Sequence, residues 1–207
     1  MNKTIKNLSL SVVSATALLV SSLSLAAPTI GQTAPDFKVL DTQGNSVSLS
    51  SLSGKTVVME WTNHDCPYVR KHYESGNMQA LQKSATSDEV VWVSVVSSGE
   101  GKQGYVNAEQ ANELTEQRGA APTHVVLDPS GELGRTYAAK TTPHMFVINP
   151  VGELVYMGGI DSIPSADKAD IDGATNYVSA ALSDLKSNQA VSTPTSRPYG
   201  CSVKYSS

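Results

Sequence analysis

Residues 56–73, T-V-V-M-E-W-T-N-H-D-C-P-Y-V-R-K-H-Y, constrain the chain more than any other stretch. They open on an apolar, β-branched run, Thr56 to Met59, of the kind that fills a buried strand. A polar turn follows, Thr62 to Asp65, and then Cys66 stands immediately before Pro67. Proline suits the first position of a helix, because the N–H it lacks would have no intrahelical partner there. Tyr68 to Tyr73 can continue that helix, which puts Cys66 at or beside its N-cap. Free N–H groups and the positive end of the helix dipole favour an anion at that point. A thiolate is such an anion, so the position predicts a Cys66 thiol of lowered pKa and raised nucleophilicity. The alternative is a buried cysteine serving as a small hydrophobe.

Residues 1–26 read as a secretory signal peptide. Lys3 and Lys6 form a short basic start, Leu8 to Leu25 is an apolar run diluted by serines, and Ser24-Leu25-Ala26 offers small residues for cleavage. An uncleaved anchor is disfavoured, since spanning needs about 20 strongly apolar residues and the serines interrupt them. The expectation is export, most simply to a bacterial periplasm, with no membrane attachment after cleavage. Residues 27–207 are then of a size for one domain. Fifteen basic residues stand against 19 acidic ones, and two of the lysines leave with the leader. That balance argues against nucleic acid or an anionic membrane as partner, since both attract cationic surfaces. Cys66 and Cys201 are the two cysteines, and an even count in an oxidising compartment allows one bridge.

Phe37 to Leu40 and Val47 to Leu49 alternate as a small hairpin around the turn residues Asp41 to Asn45. Gly76-Asn77 interrupts the helix that follows Cys66, and Met78, Leu81 and Gln82 resume a helical face. Val90 to Val96 is almost uninterruptedly apolar, as in a strand buried on both faces in parallel pairing. Asn107 and Gln110 make an approximate capping box for a helix running to Arg118. His124 to Leu127 reads as a strand, Glu132 to Ala138 as a short helix, and Met145 to Ile148 with Leu154 to Met157 as a hairpin. A last helix spans Tyr177 to Lys186, with Val178, Ala181, Leu182 and Leu185 on one stripe. The Ser-, Thr- and Pro-rich end would pass for disorder, except that it carries Cys201 among aromatic and apolar residues.

These stretches resemble the thioredoxin-like superfamily, and within it the redoxins related to alkyl hydroperoxide reductase and thiol-specific antioxidant proteins. Where thioredoxins carry C-x-x-C, this chain reads Cys66-Pro67-Tyr68-Val69, so the second cysteine is missing. Glu60 falls where thioredoxins bury an acidic residue, six positions before the first cysteine. The peroxiredoxin motif P-x-x-x-T-x-x-C is not matched, because Thr62 stands four residues before Cys66 rather than three. The chain is more similar to a peroxiredoxin-like subgroup with an N-x-x-C-P-[YF]-V corner, here Asn63 to Val69, and an R-P-x-G-C-S-[IV]-K ending, here Arg197 to Lys204. Gly31 to Phe37 also resembles the redoxin opening. Thr142-Pro143 matches the cis-proline that thioredoxin-like proteins place opposite the reactive cysteine. Without that resemblance the bond would be expected trans, since cis is about 5–6% of X–Pro bonds in folded proteins.

The resemblance implies a thioredoxin-like α/β fold, a central mixed sheet flanked by helices with an N-terminal hairpin extension. Residues 27–190 would form the domain and 191–207 a cysteine-bearing tail. It implies a thiol oxidoreductase in which Cys66 attacks a peroxide or a protein disulfide, Cys201 resolves the product, and an unidentified thiol restores the pair. Thr142 would offer backbone groups to an extended substrate, Pro143 would face the Cys66 sulfur, and Glu60, if buried, would help move the thiol proton. The tail would dock when oxidised and loosen when reduced. No cofactor is called for. Two other functions stay open: a carrier of a soft metal such as copper, with His64 and His144 near the Cys66 sulfur, and a non-catalytic module with a structural bridge. Against the carrier stands the single corner cysteine. His72, six residues along the helix, should face away from the thiol, and His124 reads as structural. Arg70 and Lys71 either add positive potential beside the thiol or are simply solvated.

Overall fold

Chain-order alternation of long apolar runs with helices produces a five-stranded sheet with helices packed against it. The structure is a computed structural model and describes residues 27–206; the leader assigned to residues 1–26 lies outside them. Strand β1 (Lys38–Leu40) and β2 (Ser46–Ser48) form the expected antiparallel hairpin at the N-terminal side. Its turn is closed by the Asp41 carboxylate, which accepts from the N–H groups of Gln43 and Asn45. His124 Nδ1 lies 2.9 Å from the same carboxylate, so this histidine fastens the hairpin to the domain.

The central strands are β3 (Val57–Trp61), β4 (Val91–Val96), β5 (His124–Leu127), β7 (His144–Ile148) and β8 (Leu154–Gly158). Their order is β5-β4-β3-β7-β8. The β3–β4 and β4–β5 pairs are parallel, and the β3–β7 and β7–β8 pairs antiparallel. Every residue of β3 and β7 is buried, as continuous apolar runs require when both faces of a sheet are covered. Side chains alternate between the faces. Met59, Trp61, Val93 and Phe146 join Phe37 and Tyr137 on one side. Val58, Trp92, Met145 and Val147 meet Val69, Met78, Val178 and Ala181 on the other.

That second side is built by helices α1 (Pro67–Glu74), α2 (Asn77–Ser87) and α5 (Tyr177–Lys186). Gly76 separates α1 from α2 at φ +77, the left-handed conformation that only glycine adopts at no steric cost. Helix α3 (Ala108–Gln117) begins with a complete capping box between Asn107 and Gln110. A short helix α4 (Glu132–Thr136) leads to strand β6 (Thr141–Thr142), and the tail contributes β9 (Cys201–Ser202). Those two short strands pair antiparallel as a separate ribbon. The tail therefore packs on the domain: Thr195 bridges Met157, and Tyr199 is buried with the α1–α2–α5 core.

Candidate active site

The corner between β3 and α1 is shaped by Asn63. Its side-chain oxygen accepts the Asp65 N–H, its amide donates to the Gln103 carbonyl, and its own carbonyl accepts the Cys66 N–H. Cys66 leaves the turn in an extended conformation and is the N-cap of α1, with Pro67 inside the first turn. The Thr142–Pro143 bond is cis. Just ahead of it, the Thr142 carbonyl lies 3.1 Å from Cys66 Sγ and accepts from the thiol.

The tail closes the site from the other side. In the β6–β9 ribbon Cys201 is the partner of Thr142, which sets its sulfur 2.7 Å from that of Cys66, and both cysteines are free thiols. The Cys201 N–H also points at Cys66 Sγ, 3.4 Å away. Cys66 is 0% exposed, whereas Cys201 is partly open to solvent. Burial pushes the Cys66 thiol up, but hydrogen bonds from the Cys201 thiol and from the N–H groups of Val69 and Cys201 outweigh it and leave the thiol more acidic than an ordinary one. Cys201 moves the opposite way, to about 11, through its own burial, its donation to Cys66 and the charge there. Of the two thiols Cys66 is therefore the one that ionises first, as expected for a sulfur at a helix N-terminus.

Of the residues singled out from sequence, Cys66, Cys201 and Thr142 come together, with Pro143 beside them. Glu60 is fully buried on β3, and its carboxylate accepts from Tyr73, Gln82, Trp92 and Ser94. None of these hydrogen bonds reaches a sulfur. The edge of Thr142 is already taken by the tail, so the strand edge expected to receive a substrate is occupied by the chain itself. The tail is docked on β6 through the pairing of Thr142 with Cys201. Among the described residues no three His, Cys, Asp or Glu side chains gather to hold a metal. His64 instead pairs with Asp65, and His144, 2% exposed, accepts the Lys140 N–H through Nδ1.

Lys71 departs from one of its two expectations, that of a solvated lysine, and His72, expected only to face away from the thiol, has partners of its own. Neither is solvated: Lys71 is 1% exposed and His72 0%. Both face Asp161 and Tyr199, and sequence reading assigned neither of those two a role. The local signal was Tyr199 two positions before Cys201, one of two tyrosines in a Ser-, Thr- and Pro-rich tail.

A parallel-and-antiparallel central sheet, a cysteine capping the helix after its central strand and a cis-proline opposite define a thioredoxin-like redoxin. The chain belongs to the AhpC/TSA family, whose model matches residues 30–157. It is 32% identical over 114 residues to sporulation thiol-disulfide oxidoreductase A of Bacillus subtilis (strain 168), an alignment covering 54% of this chain and 63% of that protein. Thiol-disulfide oxidoreductase ResA of the same organism is 27% identical over 125 residues, covering 60% of this chain and 64% of the relative. The match thus spans just under two-thirds of each curated relative. Among solved structures, a hypothetical protein from Sinorhizobium meliloti 1021 superposes with a TM-score of 0.73 over 88% of this chain and 97% of its own, at 20% identity. That likeness is one of fold.

Proposed function

We propose that this protein is an exported thiol-disulfide oxidoreductase whose working groups are Cys66 and Cys201. One observation carries the reading: a thiol acidified at a helix N-terminus lies 2.7 Å from a second thiol. A sulfur–sulfur bond of about 2.05 Å is a small movement away. In the reducing direction the Cys66 thiolate attacks a substrate disulfide and expels one of its sulfurs as a thiolate. Cys201 then attacks Cys66 in the mixed disulfide, and the second substrate sulfur leaves. The substrate gains two electrons and becomes two thiols, Cys201 gives up its proton, and a Cys66–Cys201 bond remains for an external dithiol to reduce. Because Cys66 is enclosed, the tail lifts from β6 to admit the substrate. The Thr142 carbonyl and cis-Pro143 hold the reacting sulfurs in place, and Glu60, enclosed by its four donors, stands outside the proton path. The names of the two Bacillus subtilis relatives support the reaction class, and the sequence of residues 1–26 supports export.

The test is a thiol count on the reduced protein before and after oxidised glutathione, a disulfide-bonded protein, or hydrogen peroxide, with peptide mass mapping. Two thiols should fall to none, with one intramolecular Cys66–Cys201 bridge that a dithiol reverses, and faster with the disulfides than with peroxide. Cysteines that never pair under any oxidant would end this reading. A bridge that survives strongly reducing buffer would favour a structural module instead.

A further inference from the structure

Tyr199 stands two residues before Cys201, and its hydroxyl is buried in a group of charged and polar side chains that the disulfide chemistry leaves unused. It donates to Asp161 Oδ1, and His72 Nε2 lies 3.3 Å from the phenol oxygen itself. Asn77 Nδ2, which can only donate, lies 2.8 Å from His72 Nδ1, so the ring proton is on Nε2 and points to the phenol. Lys71 Nζ sits 3.6 Å from Asp161 Oδ2 and donates to the Ile163 carbonyl at 3.4 Å. Lys71, His72 and Asp161 are each at most 4% exposed. Burying such groups is unfavourable unless they satisfy one another, and here the phenol completes the set. A phenylalanine would fill the same space against the Tyr68 ring, 5.9 Å away, so the hydroxyl is what packing does not explain.

Placement gives the group its meaning. Lys71 and His72 belong to α1, the helix capped by Cys66, and Tyr199 belongs to the tail that carries Cys201. The intervening Gly200 has φ +133, and a Cβ there would collide with the Thr142 carbonyl. Between the anchored phenol and Cys201 the chain thus runs hard against β6 and has no slack.

We propose that Tyr199 is a positioning residue for the Cys66–Cys201 pair: its phenol, held by Asp161 and His72, ties the tail to α1 and keeps the Cys201 sulfur over Cys66. The proposal rests on the reading of these cysteines as a working pair. The hydroxyl would thereby set how readily the disulfide closes and how often Cys66 is uncovered.

Tyr199→Phe in the full chain tests it with two measurements. In the reduced protein, iodoacetamide labelling of Cys66, mapped by mass, should accelerate about tenfold or more, the scale of one lost hydrogen bond to a charged group. Against glutathione buffers, the equilibrium constant for closing the Cys66–Cys201 bond should fall about tenfold, a rise of roughly 30 mV in potential. A residue with a merely structural role would lower the thermal midpoint and leave both quantities within twofold of the parent, and that result overturns the proposal. Faster labelling with an unchanged equilibrium constant overturns it too, since Tyr199 would then cover Cys66 without positioning Cys201. Should the parent form no bridge at all, the oxidoreductase reading fails on its own, and the labelling rate alone decides whether Tyr199 holds the tail.

Discussion

Two thiols in contact cannot both ionise easily, and here the asymmetry is set by who donates to whom. Cys66, at the helix N-terminus, receives hydrogen bonds, and Cys201 gives one up. Absorbance of the thiolate against pH should therefore show Cys66 ionising below an ordinary thiol and Cys201 near 11. In Cys201→Ala, which removes the donor, the Cys66 midpoint should rise; an unmoved midpoint would show that the helix alone acidifies it. His144 makes a second prediction. Burial, with the Lys140 charge nearby, drops its pKa to about 3. The unfolded chain binds a proton there below about 6.5 and the folded chain does not, so stability rises with pH through this window and is lost as pH falls. At pH 5 the effect is about 2 kcal/mol for this one residue. Urea unfolding at pH 7 and pH 5 should show it, and His144→Gln should remove that share of the difference. His72, lowered to about 4 by burial in spite of Asp161, acts in the same direction and should retain part of the slope.

Elements defined by their own residues were the ones legible in sequence. β3, β4 and β7 announce themselves as apolar runs, α1 by Cys66-Pro67, and α3 by Asn107 and Gln110. Asn107→Ala, which removes the cap, should lower stability by about 1 kcal/mol in urea unfolding with little effect on thiol exchange. The β6–β9 ribbon was not legible. Each strand is two residues long, and the partners lie about sixty positions apart, one of them in a segment of disorder-like composition. What fixes their register is the close pass of Gly200 over Thr142, which leaves no periodic mark. Gly200→Ala should push the tail outward. The Val203 N–H, bonded to the Lys140 carbonyl, should then exchange faster with solvent deuterium while amides of β3 and β4 do not change. Buried polar partnerships were equally hidden: Lys71 looks like a surface lysine until Asp161, ninety residues on, is brought beside it.

At the scale of the whole molecule, Glu60 joins several elements at the centre of the sheet. Its donors come from α1 (Tyr73), α2 (Gln82) and β4 (Trp92 and Ser94), so one carboxylate touches three elements besides its own. Glu60→Ala would orphan several buried donors and should cost about 3 kcal/mol or more in chemical unfolding. Glu60→Gln, which keeps the shape but brings a donor to a ring of donors, should cost less. Either loss should leave Cys66 ionisation in place if the carboxylate stays out of the proton path. The fold as a whole was legible because the Cys66 corner, Thr142-Pro143 and the Arg197–Lys204 ending resemble a known superfamily, while the apolar runs marked only the individual strands; the purpose of Glu60 was not, since a lone acid on a strand looks the same whether it faces water or four hydrogen-bond donors. A slip of β3 by one residue would turn that acid toward Trp61's side of the sheet, among Phe146 and Tyr137. There a charge has nothing to bind. A misthreaded sheet is thus penalised at its first central pairing, and the carboxylate serves as a proofreading mark: in the correct register it satisfies four donors, and one residue away in either direction it is buried with none.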